Sequence, residues 1–225
     1  MEKTILYLIR HGEALGNINR RFQGSTDAPL TDRGRQQTRC LENRFRDVPV
    51  DVIYSSPLQR AYDTAMAVSR ATGCSPILIE PRLTEINGGE VEGMLWDEFP
   101  KRFPEEFDNW VNNPARFRAP HGETMEEVYK RVREGILHIL RQNPDKRIAA
   151  ATHGCAIRNA LCFLLGYPIE EMNRVPLAEN TAVSAFEITG EKIVPLYLND
   201  KSHIPENLRM IRLWEDKSAK GGADQ

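Results

Sequence analysis

The stretch that most constrains the fold is a run of five apolar residues near the N-terminus, residues 5–9, which Arg10, His11 and Gly12 follow at once. An unbroken apolar run of this length is typical of a strand buried on both faces, as in a parallel sheet. In open α/β sheets the ligand crevice lies at the carboxyl ends of the strands. The sequence therefore predicts that Arg10 and His11 lie at the floor of a binding site.

The remaining pattern predicts strands that alternate with helices. Residues 17–30 are predicted to form a loop, and Thr31 and Thr124 are good N-cap residues for two helices. The predicted strands cover residues 5–9, 50–55, 76–79, 147–152, 181–188 and 192–199, and the predicted helices residues 31–46, 57–73, 124–140 and 155–165. This order favours an α/β fold, a three-layer α/β/α sandwich with a mostly parallel central sheet.

Residues 94–120 interrupt this alternation with aromatic residues punctuated by prolines. We interpret them as short helices that form a small helical cap, and we leave open whether the cap acts as a lid. No repeat or linker splits the chain, so residues 1–225 are predicted to form a single domain. Residues 217–225 are predicted to be a flexible tail.

Charge and composition narrow the class of partner. The net charge of −2 gives no basic footprint for nucleic acid, and no apolar run approaches the length of a membrane span. The four cysteines form no Cys-x-x-Cys pair, and the N-terminus leads straight into a strand without a signal peptide. These features predict reduced thiols and a cytoplasmic location. The oligomeric state, a homodimer among the options, stays open.

Candidate site residues directly follow three of the predicted strands, and one more lies in the loop after a fourth strand. Arg10-His11-Gly12 follows the first strand, and Thr152-His153-Gly154 follows a later one in the same way. The remaining members are Ser55-Ser56-Pro57, with Arg60 one helical turn later, and Glu85 in an acidic, glycine-rich loop. If these strands are parallel and central, both histidines face one crevice.

These motifs and their order resemble the histidine phosphatase superfamily, which includes the cofactor-dependent phosphoglycerate mutases. The resemblance covers most of residues 5–190. It rests on Arg-His-Gly-Glu at Arg10, on Ser-x-Pro-x-x-Arg-Ala with Thr64 beyond, on Leu-x-Glu at Glu85 and on His153-Gly154. It implies a phosphoglycerate mutase-like fold and a small phosphorylated metabolite as the partner.

The residue types suit metal-independent phosphoryl transfer. The guanidinium groups of Arg10 and Arg60 can bind phosphate oxygens bidentately. His11 can attack phosphorus and carry the group as a phosphohistidine, and His153 adds a donor that would tend to be protonated beside phosphate. Glu85 can protonate the leaving oxygen, with Glu13 as the alternative acid. No cluster of carboxylates marks a metal site, and no cofactor is expected.

Four further residues are predicted to touch the phosphate or its ester: Asn17, Gln23, Gly24 and Gly154. The segment Gly122-Glu123-Thr124 resembles the family's Gly-Glu-Ser segment, which suggests that the cap returns to the site there.

Three functions fit the resemblance. They are a phosphomonoester hydrolase, a cofactor-dependent phosphoglycerate mutase and a catalytically idle module that binds phosphorylated ligands. The mutases follow the acid with an arginine and a Tyr-Gly pair that bind the substrate carboxylate, whereas here Glu85 is followed by residues 86–93, Ile-Asn-Gly-Gly-Glu-Val-Glu-Gly. This loop favours the phosphatase. Pseudoenzymes typically lose the nucleophile or the acid, which disfavours the idle module.

Overall fold

The computed structural model describes residues 3–209 of the chain. The strands are β1 (Thr4–Arg10), β2 (Val52–Ser55), β3 (Ile77–Ile79), β4 (Arg147–Thr152), β5 (Val183–Thr189) and β6 (Lys192–Asp200). The helices are α1 (Leu15–Ile18), α2 (Asp32–Phe45), α3 (Gln59–Thr72), α4 (Phe99–Arg102), α5 (Pro104–Asn112), α6 (Met125–Gln142) and α7 (Gly154–Leu164). All six predicted strands are present.

The strands form one sheet in the order β3-β2-β4-β1-β5-β6. β3, β2, β4 and β1 are parallel neighbours, while β5 runs antiparallel to β1 and pairs with β6 as a hairpin. The predicted mostly parallel sheet is confirmed. β4 lies between β1 and β2, so the connection from β1 to β2 passes over it.

The two faces of the sheet bury different side chains, as the alternation of a strand requires. Ile9 of β1 packs on the face covered by α2 and α3, whereas Leu6 and Leu8 pack on the face covered by α6 and α7. Each face carries its own apolar cluster between sheet and helices. The predicted three-layer α/β/α sandwich is therefore confirmed.

Local chemistry explains the helix ends. Thr31 accepts the N–H of Gly34 at the start of α2, and Thr124 forms a reciprocal capping box with Glu127 at the start of α6. Gly73 ends α3 with a φ of 71°, which only glycine adopts easily.

One boundary differs from the sequence prediction. Residues 17–30 are predicted to form a loop, but α1 extends over the first two of them. It is a single turn in which Asn17 Oδ1 accepts the N–H of Ala14. Asparagine side chains readily make such local bonds, which stabilise one turn without a longer helix. Because α1 is only four residues long, it has no apolar periodicity for the sequence to reveal.

Residues 94–120 form α4, α5 and a 3₁₀ turn at Pro114–Arg116, in agreement with the predicted short helices. Their aromatic rings gather around Phe22, with ring centroids 5.4 Å away at Trp96, 5.0 Å at Trp110 and 5.9 Å at Phe99. These rings join the apolar cluster of α6 and α7, so the segment is anchored to the main core.

Two sequence predictions concern the ends and surface of the chain. The tail predicted at residues 217–225 lies outside the described residues. None of the helices within residues 3–209 combines the length and apolar character that a bilayer crossing requires.

Candidate active site

The carboxyl ends of β1, β4 and β2 meet at one edge of the sheet. Arg10 lies opposite Thr152, and hydrogen bonding continues past the strand ends, from His11 N to Thr152 O at 2.9 Å and from Ser56 N to Ala151 O at 3.0 Å. This register places the rings of His11 and His153 side by side, with centroids 5.2 Å apart. β1 leads to α2 on one face and β4 leads to α7 on the other, which opens a crevice between them.

His11 is held as a neutral imidazole with a defined tautomer. Its Nδ1 lies 2.7 Å from the carbonyl oxygen of Gly12, which can only accept, so Nδ1 carries the proton and Nε2 keeps the lone pair. Burial, with the positive charges of Arg60 and Arg10, lowers the pKa of His11 well below its usual value. The lone pair is therefore available at neutral pH.

His153 is fully buried beside His11. Its Nε2 lies 2.7 Å from Ser56 Oγ, while Nδ1 has no hydrogen-bond partner in the described structure. Burial, with the positive charges of Arg60 and Arg10, lowers the pKa of His153 well below its usual value. Without a bound anion the ring is therefore neutral. The protonated state predicted beside phosphate requires the charge of the anion itself.

Arg60 is completely buried, and the loop after α1 surrounds it. Its Nη1 donates to Thr26 O at 2.8 Å and its Nη2 to Gly24 O at 2.7 Å, while Nε is buried without a partner among residues 3–209. Burial lowers the pKa of Arg60, and the charges of Glu85, Asp27 and Glu92 oppose this shift. An arginine keeps its proton under these conditions, so Arg60 brings a fixed positive charge to the crevice.

Arg10 lies on the other side of the crevice. Its Nη1 donates to Ala178 O at 2.5 Å. A Cβ at Gly154 would lie 3.5 Å from the Arg10 guanidinium carbon, in van der Waals contact. Arg10 therefore packs against the first residue of α7, next to His153.

The two candidate acids occupy different surroundings. Glu13 Oε1 accepts from the Thr31 hydroxyl at 2.7 Å, and Oε2 accepts Nε and Nη2 of Arg33 at 2.9 and 2.5 Å. Both oxygens of Glu13 are thus engaged at the start of α2. Glu85 instead lies at the start of α7, close enough to Arg60 for their charges to interact.

Three backbone N–H groups orient the carboxyl group of Glu85. Cys155 N donates to Oε2 at 2.9 Å, and Ala156 N and Ile86 N donate to Oε1 at 3.1 and 3.0 Å. A carboxylate offers about four lone-pair positions. Among the described residues, nothing donates to the second position on Oε2, which can hold a proton or accept one.

Asn17 and Gln23, both predicted to touch the phosphate, lie on the segment after His11. Asn17 uses Oδ1 for the turn of α1, which leaves its amide N–H₂ as the group that could meet a ligand. Both amide atoms of Gln23 are buried without hydrogen-bond partners among the described residues. Buried amides are normally satisfied, so Gln23 has the character of a group that awaits a polar ligand.

Comparison with known proteins shows the family. A model of the histidine phosphatase superfamily (branch 1) matches residues 6–201. The chain belongs to the histidine phosphatase superfamily. "Phosphoserine phosphatase 1" of Hydrogenobacter thermophilus is 31% identical over 201 residues, 89% of this chain and 94% of that protein.

Two further similar proteins are a solved structure and a protein that is named as a mutase. The structure of YhfR from Bacillus stearothermophilus superposes with a TM-score of 0.85 at 32% identity, covering 90% of this chain and 100% of that one. "Probable phosphoglycerate mutase GpmB" of Escherichia fergusonii is 35% identical over 183 residues, 80% of this chain and 82% of that protein. Phosphatase and mutase names thus both occur among the relatives of this histidine phosphatase.

Sequence reasoning gave no role to Glu92, which organises the loop around Arg60. The Glu92 carboxylate accepts backbone N–H groups from Gly24 at 3.2 Å, Ser25 at 2.7 Å and Gly88 at 2.9 Å. A Cβ at Gly24 would lie 2.3 Å from the carbonyl oxygen of Ile86, which belongs to the backbone, so only glycine fits. Because Gly24 and Thr26 carry the carbonyl oxygens that hold Arg60, Glu92 supports the guanidinium through the loop.

Two other supporting residues are remote in sequence. Asn180 donates to the carbonyl oxygen of His11 at 2.9 Å, and Thr64 Oγ1 accepts the N–H of Gly12 at 3.0 Å. Both fix the backbone around the predicted nucleophile. Within residues 3–209, no three His, Cys, Asp or Glu side chains are grouped to hold a metal ion.

Proposed function

We propose that this histidine phosphatase is a metal-independent phosphomonoester hydrolase that acts through a phosphohistidine on His11, with Glu85 as the proton donor. The observation that carries the proposal is the state of His11. It is a buried neutral imidazole whose Nδ1–H donates a hydrogen bond to Gly12 O, and it lies beside a second histidine and two arginines. Such a ring offers Nε2 as the nucleophile.

The site offers polar groups that await an anion. Arg60 Nε, His153 Nδ1 and the Gln23 amide are all buried and without partners in the described structure. A phosphate dianion supplies oxygens for these donors and charge for Arg10 and Arg60 to neutralise. Its negative charge would also raise the pKa of His153 and favour the protonated ring.

In the first half-reaction His11 Nε2 attacks phosphorus while the bond to the ester oxygen breaks. Glu85 transfers a proton to that oxygen, and the alcohol leaves. In the second, Glu85 takes a proton from water as the water oxygen attacks phosphorus. The P–N bond then breaks, and inorganic phosphate and neutral His11 are released. Arg10 and Arg60 stabilise the charge on the equatorial oxygens in both steps.

We propose a small phosphorylated metabolite as the substrate. A phosphoserine phosphatase among the relatives supports this class, and a panel of phosphomonoesters assayed for phosphate release identifies the member. Mutase activity is the second candidate, because a probable phosphoglycerate mutase is among the relatives. All four cysteines are free thiols, which supports a reducing, cytoplasmic location.

The proposal predicts how 3-phosphoglycerate is partitioned. A mutase must shield its phosphohistidine from water and hold the substrate carboxylate while the molecule reorients. Here the positions after Glu85 carry Asn87, Gly88 and Gly89 in place of a carboxylate-binding arginine and tyrosine. We expect slow or no phosphate release from 3-phosphoglycerate and little 2-phosphoglycerate, even with 2,3-bisphosphoglycerate present as primer.

The measurement compares inorganic phosphate with 2-phosphoglycerate in the same reaction. Another phosphomonoester in the panel should release phosphate faster than 3-phosphoglycerate does. Rapid interconversion of 2- and 3-phosphoglycerate, with phosphate release only a trace of the flux, would establish the mutase instead.

The proposal also predicts insensitivity to chelators. Arg10, Arg60 and His153 supply the positive charge that a metal ion would otherwise bring to the phosphoryl group. Phosphate release should therefore be unchanged after incubation with excess EDTA and removal of the chelator. Vanadate, which adopts five-coordinate geometry, should inhibit. A complete loss of activity that added metal restores would overturn the metal-independent mechanism.

A further inference from the structure

One arginine of α6 donates hydrogen bonds to the main chain of the loop that carries Glu85. Arg131 Nη1 donates to the carbonyl oxygens of Arg82 at 2.9 Å and Thr84 at 2.6 Å, and Nη2 donates to the carbonyl of Glu85 itself at 3.1 Å. Three carbonyl groups within four residues thus converge on a single guanidinium. Only an arginine carries enough donors in a rigid plane for this.

Glu123 locks the guanidinium in place. Its Oε1 accepts Arg131 Nε at 2.7 Å, and its Oε2 accepts Nη2 at 2.9 Å, a bidentate ion pair. The backbone N–H of Asn87 also donates to Glu123 Oε2 at 2.8 Å, and Glu123 N donates to Asn87 O at 2.9 Å. The pair therefore joins the segment that returns from the cap to both sides of Glu85.

The main chain and the carboxyl group of Glu85 are fixed by different elements. Arg131 holds the main chain, whereas the first N–H groups of α7, at Cys155 and Ala156, hold the carboxyl oxygens. Arg131 and the N–H groups of α7 together fix the direction in which the free lone-pair position on Oε2 points. If the main chain moved, the carboxyl group could keep its bonds to α7 only by turning this position away.

We propose that Arg131, locked by Glu123, is a positioning residue for proton transfer by Glu85. This inference rests on the proposed function, in which Glu85 is the proton donor. Arg131 acts through the loop, so its loss should cost most where the leaving oxygen most needs a proton. A displacement of about 1 Å can cost about 10²-fold when a reacting group is misplaced.

A purely structural ion pair would behave differently. Its loss would lower stability and slow all substrates by the same factor, because the population of folded enzyme does not depend on the leaving group. The two readings are separated by the ratio of rates on two esters that differ in leaving group alone. That ratio is independent of how much enzyme is folded.

The experiment compares p-nitrophenyl phosphate with phenyl phosphate, which are similar in size. The measured quantity is kcat/KM, because it covers the steps up to departure of the first product and excludes hydrolysis of the common phosphohistidine. The variants are Arg131→Lys, Arg131→Met and Glu123→Gln. The control is Lys130→Met, which removes an exposed charge from the same helix.

Arg131→Met should lose about tenfold more kcat/KM on phenyl phosphate than on p-nitrophenyl phosphate, a part of the roughly 10²–10⁴-fold typical of general acid catalysis. Arg131→Lys and Glu123→Gln should show the same bias to a smaller extent, because a lysine lacks the fork and a glutamine lacks the charge. Lys130→Met should leave both values unchanged. If Arg131→Met does not fold, Arg131→Lys and Glu123→Gln carry the test.

Equal losses on the two esters in the Arg131 and Glu123 variants would overturn the positioning role. Measurement of Glu85→Gln alongside separates this outcome from failure of the proposed function. A leaving-group bias in Glu85→Gln alone would support Glu85 as the proton donor and would overturn the positioning role of Arg131. No bias in either set removes both roles, while phosphate release by the wild type would still identify a hydrolase.

Discussion

Replacement of His11 by alanine is expected to abolish turnover and to leave the fold intact. The covalent step has no substitute, because the second histidine, His153, has its Nε2 engaged with Ser56. Loss of a covalent nucleophile costs up to about 10⁶-fold in kcat in a well-studied protease, so we expect a loss of at least roughly 10³-fold. Within residues 3–209 the His11 side chain makes one hydrogen bond, to the adjacent Gly12 O, so its removal leaves the strand pairing in place.

The intermediate provides a direct measurement. Wild-type protein that reacts briefly with substrate and is quenched in alkali should carry acid-labile phosphate on His11, and His11→Ala should carry none. His121→Ala is the matched control, since the His121 side chain is mostly exposed and lies 3.1 Å from Glu90 at the surface. Retention of more than a few per cent of the wild-type rate by His11→Ala would show that another group is the nucleophile.

The histidines and arginines of the site could be predicted because strand order dictates where they meet. Residues that follow parallel strands share one sheet edge, so Arg10, His11 and His153 were bound to converge once the strands were recognised. Arg60 follows the same logic at the start of α3. These are local signals, each readable within a few residues of a strand end.

The supporting residues could not be found in this way. Glu92 and Arg131 lie on a loop and on a helix where charged residues are usually solvated, and their partners are up to 68 residues away in the chain. No sequence pattern around either residue predicts its hydrogen bonds to backbone N–H and C=O groups. Backbone partners leave no trace in the sequence, because every residue except proline carries the same donor and acceptor.

The proposal of Glu85 rather than Glu13 as the acid is supported by hydrogen bonds that the sequence does not reveal. Sequence placed both near the site, and only the hydrogen bonds separate them. Glu13 has its two oxygens committed to Thr31 and Arg33, whereas Glu85 keeps one lone-pair position on the oxygen next to α7.

Glu85→Gln is therefore expected to slow hydrolysis according to the leaving group. Glutamine keeps the shape but cannot donate a proton at neutral pH, so alkyl phosphates should lose roughly 10²–10⁴-fold in kcat/KM. p-Nitrophenyl phosphate should lose less, because p-nitrophenolate leaves with little need of a proton.

The amide of Glu85→Gln also leaves one N–H of α7 without an acceptor, which costs about 1–3 kcal/mol of stability. The fraction of folded enzyme is therefore measured beside the rates, and the ratio between esters is read as the result. Glu13→Gln, which breaks the ion pair with Arg33, should change both esters by the same factor. Equal losses in Glu85→Gln, with a leaving-group bias in Glu13→Gln, would instead make Glu13 the proton donor and give Glu85 a binding role at the start of α7.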